Sequence, residues 1–252
     1  MKAVILAAGV GARFNAGISS LPKGLIEIGD KPLLEYSLDA LISNDIAEAI
    51  MVVGFQHDQI RNRFGSCYRD LKIEYVLNEN YATSGSMYSF ALAQDLIEDD
   101  IILLESDLLF EPRAVTMLLN TEYKNCILVT ALSGSGDEVY ICTNEKLEIT
   151  ALDKNITLEC KRHAMGELAG LSRFERNFLD FVFKQSQIQF AGGKLDGHYE
   201  TCIFETSRYA GPVYAVMADN LVWYEIDTDK DLQVAREKIY PMIQAKLHLV
   251  GL

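Results

Sequence analysis

The chain has 252 residues, of which 49% are hydrophobic and 23% are charged. This composition is typical of a soluble globular protein, and the length is sufficient for one large α/β domain. The formal net charge of −13 argues against nucleic acid or an anionic membrane as a partner, because both would be repelled. A small anion can still bind where positive side chains are gathered locally.

The cysteines are odd in number and scattered, with no Cys-x-x-Cys pair: Cys67, Cys126, Cys142, Cys160 and Cys202. This pattern favours reduced, mostly buried thiols over a disulfide framework or a zinc site. The apolar run near the amino terminus is too short for a signal peptide, and no apolar stretch reaches membrane-spanning length. We therefore expect a cytoplasmic protein without membrane insertion.

Strand-like and helical segments alternate through the first half of the chain. Hydrophobic patterning predicts strands at 3–6, 25–28, 49–53, 73–77 and 101–104. Helical spacing predicts helices at 32–42, 56–64 and 84–96. This repeated order predicts a mostly parallel sheet with right-handed crossovers.

The second half changes character after residue 132. It shows strands at 139–142 and 147–152 joined by a hairpin-like turn, then a strand at 166–174 and helices at 175–186 and 199–209. Strands at 213–218 and 222–226 are expected to pair with each other before a closing helix at 229–239. Because no Pro/Ser-rich linker or internal repeat divides the chain, we expect a single domain at 1–252.

The first strand runs into a turn that contains Gly9 and Gly11, followed by Arg13 and, ten residues later, Lys23. Glycines let the backbone turn sharply and lay its N–H groups against an anion, and the two cations supply charge for phosphates. The Rossmann fingerprint would need a third glycine at Phe14, and the P-loop would need Gly-Lys-Ser/Thr. The glycines alone also fit a plain tight turn, but together with the cations they predict a nucleoside triphosphate site.

Two aspartates and a lysine follow strands at positions suited to chemistry. Asp107 follows the apolar strand at 101–104, and Asp227 has the same kind of position on a late strand. Ligands of open sheets bind at the carboxyl ends of the strands, and two converging carboxylates suit Mg²⁺. Asp227 alone also fits an ordinary helix N-cap. Lys154 follows another predicted strand and is a candidate to hold a second anion.

The string Leu6-Ala-Ala-Gly-x-Gly-x-Arg13, followed by Pro22-Lys23, resembles the signature of nucleotidyltransferases that join a nucleoside triphosphate to a sugar phosphate or alcohol phosphate. Within that superfamily, further stretches resemble the CTP:2-aminoethylphosphonate cytidylyltransferases: 78–87, 103–108, 135–140, 166–170 and 222–227. The resemblance spans essentially the whole chain. Its departures, Phe14 and a longer segment between Arg13 and Pro22, involve no charged group.

The resemblance implies a Rossmann-like α/β fold of the nucleotide-diphospho-sugar transferase type, with a mostly parallel mixed sheet and a small β-rich insertion covering the acceptor. It also implies CTP as donor, Mg²⁺ as cofactor and a CMP-activated phosphonate as product. Residues 1–132 would then bind the nucleotide and residues 133–252 the acceptor. In this scheme Lys23 bridges the α-phosphate and the leaving group, Arg13 holds the pyrophosphate end, and Lys154 holds the acceptor anion.

The predicted nucleotide-binding residues are Leu6, Ala7, Ala8, Gly9, Gly11, Asn80, Ser84, Gly85, Ser86 and Ser106. Backbone N–H groups and hydroxyls at 84–86 are expected to contact a base edge, although a serine N-cap is equally typical there. The predicted acceptor-binding residues are Glu138, Tyr140, Lys154, Glu200 and Trp223, and the predicted metal ligands are Asp107 and Asp227. Tyr140 and Trp223 also fit core aromatics.

The acceptor is expected to be a small zwitterionic phosphonate or phosphate. The carboxylates favour a primary ammonium, as in 2-aminoethylphosphonate, over the quaternary ammonium of phosphocholine, which would favour an aromatic cage. Phosphocholine and a sugar 1-phosphate stay open as acceptors, and a homodimer stays open as the assembly. The rival classes are a glycosyltransferase, for which Glu105-Ser-Asp107 offers an imperfect Asp-x-Asp motif, and a catalytically silent nucleotide-binding regulator.

Overall fold

Strands and helices alternate in the computed structural model, which describes residues 1–11 and 21–250. The strands are β1 (Lys2–Ala7), β2 (Glu27–Ile28), β3 (Lys31–Pro32), β4 (Glu48–Val53), β5 (Cys67–Tyr68), β6 (Leu71–Leu77), β7 (Ile101–Glu105), β8 (Leu108–Phe110), β9 (Cys126–Thr130), β10 (Tyr140–Thr143), β11 (Ile149–Asp153), β12 (Gly166–Phe174), β13 (Tyr214–Met217) and β14 (Trp223–Glu225). The helices are α1 (Leu33–Ile42), α2 (His57–Phe64), α3 (Ser86–Leu92), α4 (Arg113–Asn120), α5 (Leu158–Arg162), α6 (Arg176–Ala191), α7 (Tyr199–Ala210), α8 (Asp229–Val234) and α9 (Tyr240–Val250). Among the described residues, no helix combines the length and the apolar composition needed to cross a membrane.

The main sheet has the order β11-β10-β12-β7-β1-β4-β6-β5, and β9 pairs with both β12 and β13. Strands β7, β1, β4 and β6 are parallel neighbours, whereas β12 runs antiparallel to β7, β9 and β10. The prediction of a mostly parallel mixed sheet flanked by helices is confirmed. Because parallel strands end at the same edge, the loops after β1 and β7 meet there.

The sheet buries both faces, as the alternation of side chains along each strand requires. Ala3 and Ile5 of β1 join the cluster that packs against α1, α2 and α4, and Val4 joins the cluster that packs against α3, α6 and α7. A third cluster joins β8 and Val222 to the carboxyl-terminal helices. This third cluster fixes the position of the segment that carries Asp227.

The pairing predicted for the two late strands is wrong. Strand β13 pairs in parallel with β9, and β14 pairs antiparallel with β8. Each partner lies far away in the sequence, and an apolar pattern predicts a strand without predicting its neighbour. Asp227 follows β14 and Asp107 precedes β8. The pairing of these two strands therefore brings the two aspartates close together.

The expectation of five reduced cysteines is wrong for one pair. Cys142 of β10 and Cys160 of α5 form a disulfide, with 18 residues of sequence separation, while Cys67, Cys126 and Cys202 are free. The spacing rule missed the pair because the chain folds back over β10 before it reaches Cys160. Helix α5 buries none of its own side chains, so this bond is a principal attachment of α5 to the sheet.

Breaking that disulfide should lower the free energy of unfolding. Closing a loop of 18 residues stabilises a fold by about 3 kcal/mol in the chain-entropy account. We expect Cys160→Ser to shift the urea midpoint downward, and dithiothreitol to shift the wild type similarly without affecting the variant. Cys67→Ser, at an exposed free cysteine, is the control, and equal midpoints for all three proteins would contradict the disulfide's role.

Candidate active site

A large open cavity lies at the carboxyl-terminal edge of β1 and β7. Its volume is about 720 Å³, which lies within the range of small-molecule sites. Most predicted site residues line it: Leu6, Ala7, Ala8, Gly9, Gly11, Lys23, Ser84, Gly85, Ser86, Ser106, Asp107, Glu138, Lys154, Glu200, Trp223 and Asp227. The fold therefore brings residues from both halves of the chain into one cleft.

Arg13 lies outside the described residues. Two other predicted residues, Asn80 and Tyr140, do not line the cavity. Asn80 is exposed and donates its side-chain N–H to the Tyr88 hydroxyl at 3.1 Å. The hydroxyl of Tyr140 donates to Glu138 at 3.3 Å. The last two side chains have local structural partners instead of facing the cavity.

Lys23 is the cation at the centre of the cleft. Its ammonium is 3.0 Å from Oδ2 of Asp107 and also pairs with Oδ1 of Asp227. Burial disfavours the charge on Lys23, but Coulombic attraction to these two carboxylates outweighs it and raises the pKa of the lysine. The stem of Lys23 passes beneath Gly11, where a Cβ would come within 3.0 Å of Cγ and where φ is +64°. Glycine at 11 thus gives the lysine a path to the aspartates.

Further carboxylates stand beside this ion pair. Possible ligand oxygens of Glu105, Asp107 and Glu225 lie within 4.8 Å of one another. Burial and the neighbouring charges of Asp107, Glu225 and Glu200 raise the pKa of Glu105 well above its ordinary value. Desolvation in the cleft, with Asp107 and Asp227 nearby, raises the pKa of Glu225 to about 8. The sequence reasoning assigned neither glutamate to the site, although both lie two residues before a predicted metal ligand.

The loop before α3 is organised by Asn78, which is fully buried. Its amide donates to the hydroxyls of Ser84 at 3.0 Å and Ser89 at 2.9 Å. The backbone N–H of Ser84 donates to Asn80, and that of Gly85 donates to Leu195. The expectation that these two N–H groups are exposed to a base edge is therefore wrong, because each already has a backbone partner. The hydroxyls remain the candidate donors at the cavity wall.

The acceptor side contains a second lysine–carboxylate pair. Lys154 lies 2.7 Å from Oδ1 of Asp137, and both side chains are nearly half exposed. Burial opposes the charge on Glu138, but backbone N–H groups and the Tyr140 hydroxyl hold the pKa of Glu138 below its ordinary value. The indole N–H of Trp223 donates to the carbonyl of Ala169 at 2.7 Å. Trp223 thus contributes its ring to the cavity wall while its polar atom is satisfied in the sheet.

Glu167 is a buried charged residue that the sequence reasoning did not assign to the site. It is 2% exposed on β12 and accepts hydrogen bonds from the backbone N–H of Ser133 at 3.0 Å and its hydroxyl at 3.1 Å. These contacts attach the exposed 131–137 loop to the sheet at the cavity wall. Burial raises the pKa of Glu167 to about 7, despite the hydrogen bonds. The available signal was a glutamate within the otherwise apolar stretch at 166–171.

Comparison with known proteins agrees with this architecture. Residues 3–153 match the MobA-like NTP transferase domain, and this range includes the glycine turn, Lys23 and Asp107. The chain belongs to this family. Membership of this NTP transferase family argues against the glycosyltransferase alternative.

Two curated relatives cover nearly the whole chain. The choline-phosphate cytidylyltransferase of Streptococcus pneumoniae is 31% identical, over 94% of this chain and 97% of that protein. The CMP-5'-(3-aminopropyl)phosphonate synthase of Streptomyces rubellomurinus is 26% identical over 96% of this chain. The chain spans only 39% of the length of that second relative.

Solved structures give the same fold. The CTP:phosphocholine cytidylyltransferase of Streptococcus pneumoniae superposes with a TM-score of 0.72 over 94% of this chain and 97% of its own, at 19% identity. The inositol-1-phosphate CTP transferase of T. maritima gives a TM-score of 0.76 over 96% and 94%, at 22% identity. At these identities the likeness establishes the fold, which is that of the nucleotide-diphospho-sugar transferases.

Glu167 should make stability fall as the pH rises. Its folded pKa of about 7 exceeds the unfolded value of about 4.3, so the folded state holds the extra proton between these values. Raising the pH from 5 to 8 should therefore cost about 3 kcal/mol through this group. Glu167→Gln, an amide that imitates the protonated acid, should flatten that slope in urea unfolding. The exposed Glu79→Gln should keep the wild-type slope, and an unchanged slope in Glu167→Gln would contradict the assignment.

Proposed function

We propose that the protein transfers a cytidylyl group from CTP to 2-aminoethylphosphonate, giving CMP-2-aminoethylphosphonate and pyrophosphate. The observation that carries this proposal is the surplus of carboxylates in a cleft that also holds Lys23 and the glycine turn. Phosphate-binding groups suit the nucleotide, and carboxylates with raised pKa values suit a cationic end on the acceptor. The names of both curated relatives support it, since each combines CMP chemistry with an acceptor that bears phosphorus and nitrogen.

The reaction needs no covalent intermediate on the protein. An oxygen of the acceptor phosphonate forms a bond to the α-phosphorus of CTP, and the bond between that phosphorus and the bridging oxygen breaks. Pyrophosphate leaves with the electron pair. The residues contribute by bringing two anions together and by neutralising charge as it develops on the leaving group.

The lysines are assigned to those charges. Lys23 would move its ammonium from the aspartates to the α-phosphate and the leaving group. The ammonium of Lys154 would leave Asp137 and pair with the acceptor phosphonate at the cavity rim. Arg13 is proposed to hold the pyrophosphate end, on the strength of its spacing from the glycine turn.

The residues present also fit a divalent metal. Oδ1 of Asp107 is buried and has no hydrogen-bond partner among the described residues, and carboxylate oxygens are the ligands that Mg²⁺ prefers. Asp107 and Asp227 would hold the ion. When bound, Mg²⁺ would supply charge neutralisation between the nucleotide and the acceptor.

The ammonium end of the acceptor is assigned to the remaining carboxylates. Burial raises the pKa of Glu200, the second residue of α7, and Glu225 and Glu105 face the same cavity. A cation placed among them would lower the pKa of each, because an opposite charge favours the ionised form. A primary ammonium can also donate hydrogen bonds to these oxygens, whereas a quaternary ammonium cannot.

Choline phosphate is the second candidate acceptor. The Streptococcus relative matches nearly full length on both sides, and three aromatic side chains line the cavity, namely Tyr81, Trp223 and Tyr224. Aromatic rings can bind a quaternary ammonium through cation–π contacts. The two candidates therefore differ in whether the carboxylates or the rings dominate recognition.

A grid of four nucleoside triphosphates against a set of acceptors tests the proposal through pyrophosphate release. The acceptors are 2-aminoethylphosphonate, phosphocholine, phosphoethanolamine and several sugar 1-phosphates, each with Mg²⁺. We expect CTP with 2-aminoethylphosphonate to give the highest kcat/KM. Preference for phosphocholine would select the second candidate, and turnover of sugar 1-phosphates alone would overturn both.

Asp107→Asn should lower kcat by roughly 10²–10³, the usual effect of removing one charge-stabilising group from an active site. The amide is isosteric with the acid, so the melting temperature should stay close to that of the wild type. Asp180→Asn, at an exposed carboxylate on α6, should retain full activity. Wild-type turnover in Asp107→Asn would remove Asp107 from the metal site.

Lys23 and a metal ion should compete for the same aspartates. In the nucleotide-free protein, Lys23→Met removes the ammonium that pairs with both carboxylates. We expect the affinity for Mn²⁺, measured by titration calorimetry without CTP, to rise about tenfold, which corresponds to about 1.4 kcal/mol. Lys154→Met should leave Mn²⁺ affinity unchanged, and a weaker affinity in Lys23→Met would contradict the competition.

A further inference from the structure

We infer that Tyr199 is a positioning residue that fixes the carboxylate of Glu105 at the floor of the cleft and so strengthens binding of a cationic acceptor. This inference rests on the proposed function and adds two residues, Tyr199 and Glu105, to the acceptor site. Tyr199 is the first residue of α7 and is 1% exposed. It acts through Glu105 and has no assigned contact with the reactants.

The phenol of Tyr199 orients one oxygen of that carboxylate. Its hydroxyl donates to Oε1 of Glu105 at 2.7 Å. A hydrogen bond to an ionised carboxylate is among the stronger ones in proteins. Burial and the charges of Glu105 and Glu200 raise the pKa of Tyr199 well above its ordinary value, so the phenol keeps the proton that it donates.

Gly170 makes room for the other oxygen. A Cβ on Gly170 would lie 3.0 Å from Oε2 of Glu105 and 2.7 Å from Cδ1 of Leu108, and φ at this position is +74°. Any larger residue would press on the carboxylate. The position of Glu105 is thus defined on two sides, by a donor and by a glycine in the β12 bulge.

The backbone of the same segment attaches to the predicted nucleotide loop. The N–H of Tyr199 donates to the hydroxyl of Ser86 at 3.0 Å, and the carbonyl of Gly197 accepts from the N–H of Met87 at 3.1 Å. A Cβ on Gly85 would lie 2.2 Å from the Gly197 carbonyl oxygen, so the two segments are in direct contact. This attachment fixes the position of Tyr199 beside Glu105.

Glu105 needs a fixed hydrogen-bond donor because the neighbouring carboxylates repel it. Asp107, Glu225 and Glu200 all disfavour its charge. Without a fixed donor, the carboxylate would gain by turning away from these neighbours. With the donor in place, the Glu105 oxygens stay at the cavity surface, where a bound ammonium group can pair with them and favour the ionised form.

A double-mutant cycle tests this inference with Tyr199→Phe, Glu105→Gln and the combined variant. We expect Tyr199→Phe to raise the KM for 2-aminoethylphosphonate about tenfold, or about 1.4 kcal/mol, and to change the KM for CTP less than about twofold. In the Glu105→Gln background the same substitution should have little further effect, because the partner of the phenol is already neutral. Tyr209→Phe, at an exposed hydroxyl on the same helix, should match the wild type.

Equal increases in both KM values, or fully additive effects in the combined variant, would overturn the inference. If Tyr199→Phe does not fold, Glu105→Asp takes its place, since a shorter side chain withdraws the carboxylate from the phenol and should raise the acceptor KM selectively. The activity of the wild type distinguishes failure of the proposed function from failure of this inference. If the wild type uses only sugar 1-phosphates, both the proposed function and the role of Tyr199 are overturned. If the wild type is active with 2-aminoethylphosphonate but Tyr199→Phe changes both KM values equally, only the positioning role is overturned.

Discussion

The contact of one ammonium with two aspartates is the constraint on which the cleft depends. Lys23 is 84 residues from Asp107 and 204 residues from Asp227 in the sequence, yet the three side chains meet at one point. Two ionised carboxylates repel each other in a partly buried site, and a cation between them relieves that repulsion. Lys23 supplies that cation, so the two aspartates that we propose as metal ligands are held side by side.

The same principle organises the rest of the cleft. Lys154 pairs with Asp137 at the rim, and Ser133 satisfies Glu167 in the wall. Glu105 and Glu225 are different, because their neighbours are mostly other carboxylates and their pKa values rise in consequence. A site built in this way gains from a ligand that carries both signs of charge, with its anion near the lysines and its cation among the glutamates.

Local sequence signals were sufficient to predict which central residues line the cavity. A strand followed by a glycine turn predicts that the loop after β1 reaches the cavity. A polar residue after an apolar strand predicts that Asp107 lies at the edge of the sheet. These signals depend only on neighbouring residues. The parallel order of the first half follows from the same periodicity.

Contacts between distant segments could not be predicted in that way. The bond between Tyr199 and Glu105 joins residues 94 positions apart, and the Cys142–Cys160 disulfide depends on how α5 folds back onto β10. The partners of β13 and β14 are likewise set by the packing of the whole sheet. Even the N–H of Gly85 was assigned wrongly, because its acceptor, Leu195, lies on another part of the chain.

The concentration of carboxylates around the cleft also affects how quickly the reactants arrive. A nucleoside triphosphate is strongly anionic, and it approaches a protein with a net charge of −13. Dissolved ions screen such repulsion over about 8 Å at physiological ionic strength. Moderate salt should therefore speed the capture of the nucleotide, which is the reverse of the behaviour of proteins that attract nucleotides with a basic surface.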